Sequence, residues 1–419
     1  MTDGTHVVTA FLRNEGELLL LRRSDAVGTY TGLWGGVSGF AEGDPDEQVL
    51  VEIREETGLD DADVTLVRSG SLVRFTDEDL ERDWVVHPYL FDANDGEIEL
   101  SDEHDDFEWV PATELLRRET VPELWAAYER VAPSVRSVTA DTDHGAAYLS
   151  IRALEVLRDR AGLLVHEGAS DDEAWDELSD LGTRLLRARP SMAVLKNRVN
   201  RVLATADRGA ASVEETAIEE IRRATSADTE AAVRASALVK DRSVLTLSRS
   251  GTVLRALADA DPMELFVLES RPGGEGVGVA ESLVDELPVT LVPDAAVAQV
   301  LASEDIDVLL VGADTVLPDG TVVNKTGTRT AALAAAHEEI PLYVVAATDK
   351  VSVDESVNLE TGRRSMVYDG DAPITVFNPI FDETPGHLVD AIVTERGERS
   401  PEEIRELAEE LRGYASWQA

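Results

Sequence analysis

The chain has 419 residues, 43 % of them hydrophobic, enough for two or three domains that each bury a core, and too many for a disordered chain. Its 83 acidic residues against 38 basic ones leave a net charge of -45 spread over the whole length, which excludes general nucleic-acid binding outside a local basic patch. There is no cysteine, which excludes disulfides, thiolate metal sites and a cysteine nucleophile. Dispersed carboxylates of this density suit a halophilic surface in a salt-rich cytosol, where screening suppresses their mutual repulsion. No apolar run approaches the ~18 residues that span a membrane. No basic region followed by an apolar core opens the chain, so a soluble cytoplasmic protein is expected.

Residues 6–23, HVVTAFLRNEGELLLLRR, predict two strands joined by a turn at Asn14–Gly16. A helix is expected over 44–57, capped by Asp44 with Pro45 at its first position. Further strands follow over 62–92, ending in Val85–Phe91, and Pro111–Ala132 reads as an amphipathic helix. The first domain boundary falls near Pro133, giving a domain at 1–132 and a helical segment at 133–238 without a strand signal between 145 and 235. From 243 onward the short apolar runs SVLTL, ELFVLES, VTLVP, IDVLLVGAD and PLYVVAA alternate with helical stretches. That alternation predicts a parallel sheet with crossover helices over 239–419. The tail, Pro401–Gln418, reads as one charged amphipathic helix.

Within Gly36–Leu59, GVSGFAEGDPDEQVLVEIREETGL, the carboxylates Glu52, Glu55 and Glu56 stand at i, i+3 and i+4, on one face of a helix. Three crowded carboxylates repel one another unless a hard cation sits among them, and magnesium or manganese there can bridge phosphate oxygens and activate water. The spacing alone is equally that of a solvated acidic face. Gly58 is placed to end the helix in a left-handed turn. The stretch resembles the Nudix box: Gly36 and Glu42 have its separation, and Glu52, Ile53, Glu55, Glu56, Gly58 and Leu59 match in order, over a domain of about residues 5–130. The sequence departs from the box twice. Eight residues rather than seven separate Glu42 from position 51, and position 51 is Val where the family has an arginine that helps hold the carboxylates. The resemblance implies an α/β/α sandwich with a mixed sheet, metal ligation by Glu52, Glu55 and Glu56, and hydrolysis of a nucleoside diphosphate derivative. A general base is sought in Ser101–Val110, with Glu103 first and His104 second, although an acidic surface loop has the same composition.

A second constellation lies in Leu310–Thr328, LVGADTVLPDGTVVNKTGT. An apolar strand runs into Gly312–Ala313–Asp314, and a turn at Pro318–Gly320 leads to Asn324–Lys325 and a helix start at Gly327–Thr328. Strand ends of open parallel sheets bind ligands, and N–H groups at a helix start suit phosphate. Asp314 is placed to bond a sugar hydroxyl or to act as an acid or base. The run resembles the G-A-D-x-V-x-x-D-G-x-V-x-N-K-x-G-T signature shared by initiation factor 2B alpha, beta and delta subunits, ribose-1,5-bisphosphate isomerase and methylthioribose-1-phosphate isomerase. Arg189–Pro190–Ser191, Glu269 with Arg271–Pro272, Asn378–Pro379, Phe381–Asp382 and Thr384–Pro385 match further segments, so the resemblance covers roughly 140–415.

The isomerases of that superfamily carry a catalytic cysteine in T-H-C-x-S-G, where this chain has Thr246–Leu247–Ser248–Arg249–Ser250–Gly251. A serine hydroxyl is a far weaker acid than a thiol. The expectation is therefore a Rossmann-like domain that binds a sugar phosphate or nucleotide without isomerising it. Arg189, Ser248, Ser250, Gly251, Glu269, Arg271, Asp314, Asn324 and Lys325 are the candidate ligand residues, and family resemblance implies a homodimer through this domain. The leading expectation for the whole is a magnesium- or manganese-dependent Nudix hydrolase with an initiation factor 2B-like domain. The alternatives are a translation-related regulatory protein with a degenerate Nudix domain and, less favoured, an active sugar-phosphate isomerase.

Overall fold

The computed structural model describes residues 4–94, 98–141 and 143–418, without the side chain of Pro401. The chain forms two compact units. Unit 1 comprises Met1–Val138, Arg152–Leu181 and Ala206–Arg222, and unit 2 comprises Thr139–Ile151, Gly182–Thr205 and Arg223–Ala419. No helix among the described residues is long and apolar enough to cross a membrane.

Unit 1 begins with the expected strand pair, β1 (Thr5–Asn14) and β2 (Glu17–Arg23), turning at Gly16, whose φ of 88° favours glycine. Then come β3 (Trp34–Gly35), β4 (Val37–Phe40), α1 (Pro45–Thr57), β5 (Val64–Ser69), β6 (Val73–Asp77), β7 (Arg82–Ala93), β8 (His104–Val110) and α2 (Leu124–Glu129). β1 and β7 pair in parallel from Thr5↔Trp84 to Arg13↔Asp92, and the other pairings are antiparallel, so the eight-stranded sheet is mixed. Its order is β3-β2-β1-β7-β5, with β4 on β1, β6 on β7 and β8 on β2. Alternate residues of β1 serve opposite faces. Val8, Ala10 and Leu12 pack under Val49 and Ile53 of α1, while Phe11 packs with Leu124, Ala127 and Tyr128 of α2. The α/β/α sandwich is thus present.

The helix expected over Pro111–Ala132 is not continuous. A 3-10 turn at Ala112–Leu116 gives way to an extended stretch, because Trp34 takes Glu119 and Val121 as backbone partners, and helix resumes only at α2. Pro122 has no N–H to give, and it disfavours a helical conformation at Val121 before it.

Five helices follow in the segment expected to be helical: α3 (Val135–Ala140), α4 (Ala146–Glu167), α5 (Asp171–Ala188), α6 (Ala193–Thr205) and α7 (Ala210–Val239). The boundary between the units cuts through α4, α5 and α7.

The sheet of unit 2 is built from β9 (Ser243–Leu247), α8 (Gly251–Ala258), β10 (Glu264–Leu268), α9 (Glu275–Leu283), β11 (Val289–Val292), α10 (Val297–Ser303) and β12 (Val308–Gly312). After it come β13 (Thr315–Val316), β14 (Val322–Lys325), α11 (Thr328–His337), β15 (Leu342–Val345), β16 (Phe381–Thr384), β17 (Ala391–Thr394), β18 (Gly397–Arg399) and α12 (Pro401–Gly413). α12 stops short of the expected end, and the chain tightens into a 3-10 turn over Tyr414–Gln418. The main sheet runs β11-β10-β9-β12-β15-β17-β18, parallel except for the antiparallel edge strand β18. Counted over its parallel strands, this is the doubly wound order 3-2-1-4-5-6, whose reversal lies between β9 and β12. Both faces are buried, as continuous apolar strands require. Leu245, Phe266 and Leu309 enter one core, and their neighbours Val244, Val267 and Leu310 enter the other. β13, β14 and β16 form a separate three-stranded antiparallel sheet.

Each unit also encloses paired charge. In unit 1 the fully buried Arg158 donates to Asp159 at 2.8 Å and to the Gly16 carbonyl at 2.5 Å, and the Tyr128 hydroxyl donates to Asp159 at 2.8 Å. Glu155 holds Arg13 at 3.3 Å and Arg152 at 3.0 Å. In unit 2 the buried Asp349 receives Arg198, Arg201 and Arg223, at 3.0, 2.8 and 2.5 Å. Against the cost of burial, these three guanidinium groups hold Asp349 well below the usual carboxylate range. Removing one partner of a buried pair strands the other charge. Asp159→Ala is therefore expected to destabilise unit 1 by about 3–5 kcal/mol. Denaturant unfolding followed by tryptophan fluorescence checks this, and an unchanged midpoint refutes it.

Candidate functional site

α1 carries the first site. The Asp44 side chain accepts from the Asp46 N–H at 3.0 Å, Pro45 fits the first turn, and Gly58 closes the helix at φ 74° with its N–H on the Arg54 carbonyl. The extra residue of the box is absorbed ahead of the helix, where Gly43 turns at φ 129°. Glu52 and Glu55 thereby face a cavity of about 670 Å³ that Glu42 and Glu103 also line. Glu56 lies behind it, 3 % exposed, and accepts the Ser38 N–H at 3.2 Å. Gly39 makes room for the Glu52 carboxylate: a Cβ there would lie 2.0 Å from its Cδ.

Burial and crowding act together on these carboxylates. Burial raises Glu52 above the usual carboxylate range, and the charges of Glu55 and Glu103 raise it further. Burial raises Glu56 strongly, again with help from Glu52 and Glu103. Glu103 therefore belongs to the same cluster. His104 does not reach the cavity. It is buried, 3.9 Å from Glu56, and pushed down to about 4 by burial and by the charge of Arg23, so it is neutral at physiological pH. Its Nδ1 has no hydrogen-bond partner among the described residues.

Sequence reasoning missed Arg23. It ends β2, lines the cavity, donates through Nε to the Thr29 carbonyl at 3.0 Å, and counteracts the raised pKa of Glu56. Val51, by contrast, is 37 % exposed and does not line the cavity. Where position 51 offers no charge, Arg23 at the end of a strand is the cation that acts on Glu56. The arginine pair closing LLLLRR was the available signal.

Among the described residues no three acidic or histidine side chains already stand as a cation cage. The donor set nevertheless fits a hard divalent ion. It is all carboxylate oxygen, and beside the burial that raises Glu52 and Glu56 it carries a carboxylate–carboxylate repulsion that such an ion relieves.

In unit 2 the candidate ligand residues other than Arg189 lie at the carboxyl ends of strands or in the loops and helix start that follow them. Ser248 follows β9 at φ 63°, with its N–H on Ser270 Oγ at 2.7 Å. The Ser250 hydroxyl caps α8, which starts at Gly251. After β10, Arg271 Nε donates to Glu269 at 3.0 Å and its backbone N–H to Asp294 at 2.6 Å. Asp314 follows β12 and is raised by burial, with Lys350 and Lys325 opposing and Glu360 adding to the shift. Asn324 donates to Thr328 Oγ1 at 3.0 Å, and Lys325 is ion-paired with Glu275. Lys350, buried with Nζ on the Ala313 carbonyl at 2.7 Å, was missed, although it is one of only four lysines. Arg189 lines a different cavity of about 390 Å³ with Ser191, Lys196 and Glu360, and donates to the Asp141 carbonyl. Glu360 connects that cavity electrostatically to Asp314.

A mixed-sheet sandwich with a carboxylate-bearing helix and a doubly wound unit with polar strand ends define two protein classes within one chain. The chain belongs to the Initiation factor 2 subunit family, matched over residues 142–401, and carries a NUDIX domain over residues 4–131. It is 34 % identical over 310 residues to a ribose 1,5-bisphosphate isomerase of Haloferax volcanii, covering 68 % of this chain and 94 % of that one. A methylthioribose-1-phosphate isomerase of Trichoplax adhaerens is 34 % identical over 164 residues, 36 % of this chain and 46 % of that protein. Among solved structures, the translation initiation factor eIF-2B of Pyrococcus horikoshii OT3 matches with a TM-score of 0.56 and 28 % identity, over 64 % of this chain and 95 % of that one.

The raised Glu56 has a measurable consequence. A carboxyl raised on folding favours the folded state below its unfolded pKa and loses that contribution as pH rises through the folded value. Glu56→Gln keeps an oxygen for the Ser38 N–H and removes the charge. In divalent-free buffer the variant is expected to unfold at higher denaturant than the parent at pH 7. The difference should close as pH falls through the ordinary carboxylate range. Equal midpoints at pH 7 would contradict the assignment.

Proposed function

We propose that the protein is a Nudix-type hydrolase that cleaves a nucleoside diphosphate derivative with magnesium or manganese. The observation that carries this reading is the convergence of Glu52, Glu55 and Glu103 on one cavity, with Glu56 behind them and Arg23 beside them. Glu52, Glu55 and Glu56 would hold the cation, whose chemistry there would be to polarise phosphoryl oxygens. Glu103 takes a proton from the attacking water. The new P–O bond forms at one phosphorus, the bridging P–O bond breaks, and the departing phosphate leaves as an anion. Arg23 faces the same space and directs its charge at phosphate oxygens. The Initiation factor 2 subunit family model begins at residue 142, past the carboxylate cluster, which lies within the NUDIX match at 4–131.

For unit 2 the reading is a pocket that binds a sugar phosphate without isomerising it, at Ser248, Ser250, Gly251, Arg271, Asp314, Asn324 and Lys325, with Arg189 in the neighbouring cavity. Ser248 supports this, since its hydroxyl is a poor proton relay where the resembling isomerases carry a thiol. Phosphate reaching Lys325 must compete with Glu275 for the ammonium group.

Glu103→Gln is expected to lower kcat by about 10²–10⁴-fold with little change in KM, in a magnesium-dependent assay on nucleoside diphosphate derivatives in molar potassium chloride. Unchanged turnover removes Glu103 as the base, and activity unchanged in both Glu55→Gln and Glu56→Gln sinks the hydrolase reading. In calorimetry with ribose 1,5-bisphosphate, Lys325→Ala should weaken binding by about 1–3 kcal/mol. Conversion of that compound by the parent protein at an enzymatic rate refutes binding without isomerisation.

A further inference from the structure

The cavity beside α1 has a second end that the carboxylates do not use. Tyr30, Phe40, Phe75 and Trp84 line it, with Arg82. Trp84 is 5 % exposed, and the Phe40 ring stacks on it at 6.2 Å between centroids and 24° between planes. Tyr30 leans on the same indole at 6.3 Å and is anchored by its hydroxyl donating to Asp77 at 2.6 Å. The Arg82 guanidinium lies 4.9 Å from the Trp84 ring centroid. Phe40 itself is 51 % exposed. One face of this phenyl ring is therefore fixed by a buried indole while the rest of it is open.

We propose that Phe40, backed by Trp84, is the stacking platform for the nucleobase of the substrate, so that the protein selects nucleoside diphosphates over diphosphates without an aromatic ring. The proposal rests on the hydrolase reading and deepens it. Placement supports it. Phe40, Glu52 and Glu55 line one cavity of about 670 Å³, on different walls of it, because successive strand residues face opposite ways, Gly39 toward Glu52 and Phe40 toward Trp84. A ligand whose diphosphate lies at Glu52 and Glu55 thus has its base within reach of the ring. Chemistry supports it as well. A half-exposed phenyl ring on a surface of net charge -45 serves no solubility purpose, whereas every nucleobase presents a π-face to stack. The indole behind and the tyrosine beside hold the platform in one orientation, so little order has to be imposed on binding. Arg23 and Arg82, lining the same cavity, offset the surrounding carboxylates for an anionic ligand.

The test uses the full chain, with ADP and inorganic pyrophosphate as probes, calcium replacing magnesium so that no turnover intervenes. By calorimetry, Phe40→Ala should weaken ADP binding about 5- to 150-fold, the range that base–aromatic stacking spans. Phe40→Trp should retain it, and pyrophosphate binding should be the same in all three proteins. Phe40→Leu, which keeps the bulk without the π-face, should behave like Phe40→Ala. Equal ADP affinity in the parent, Phe40→Ala and Phe40→Leu overturns the proposal, as does an equal loss of pyrophosphate binding. The two readings fail separately. A chain that binds ADP through Phe40 yet hydrolyses no diphosphate refutes the hydrolase and leaves the platform. A chain that hydrolyses nucleoside diphosphates with the same KM after Phe40→Ala refutes the platform and leaves the hydrolase.

Discussion

Arg158 cannot leave its place in unit 1 without stranding a charge. Its guanidinium is enclosed between Asp159 and the Gly16 carbonyl, and Asp159 is shared with the Tyr128 hydroxyl. Those partners come from the β1–β2 turn, from α2 and from α4 itself. A few hydrogen bonds therefore hold a helix, a turn and a strand pair in one register. Apolar packing alone tolerates sliding, but a buried ion pair does not, because a displaced charge recovers neither its partner nor water. Unit 2 repeats the device with the signs exchanged, one carboxylate at Asp349 among three arginines from α6 and α7.

The same physics works in the opposite sense at α1. There the fold concentrates like charges without enough cations to match them. Glu52 and Glu56 are raised by burial and by their neighbours, and Arg23 supplies only part of the compensation. Asp349 is lowered because three guanidinium groups outweigh its burial, whereas burial raises Asp159, which has one such partner, as it raises Glu52 and Glu56. What distinguishes the cluster at α1 is that carboxylates gather there beside a cavity with other carboxylates, not guanidinium groups, as most of their charged neighbours.

Local signals in the sequence revealed whatever local physics decides. Alternating and continuous apolar runs located β1, β2 and the strands of the parallel sheet, and a cap at Asp44 with a left-handed glycine at Gly58 bounded α1. The spacing of Glu52, Glu55 and Glu56 was legible for the same reason. The helix read over Pro111–Ala132 was broken by a partner distant in sequence, the backbone of Trp34, which no local periodicity announces. Arg23 and the wall of Tyr30, Phe40 and Trp84 were hidden likewise, since residues distant in sequence meet there only in the folded chain. His104, equal in composition to Glu103, separates from it because neighbouring residues on a strand end face opposite ways: one into the cavity, the other into the core.

The scarcity of lysine has a practical side. Lys350 is buried against a carbonyl, Lys325 is held by Glu275, and Lys196 pairs with Asp354 at 3.0 Å. Lys240, just past the end of α7, is exposed. Ahead of the partly exposed Lys196, an amine-selective reagent will therefore meet Lys240 as the most open lysine of a 45.4 kDa protein. A dye or tether attached there would mark a defined position in unit 2, and competition for Lys325 would then report directly on whether its ammonium group is covered.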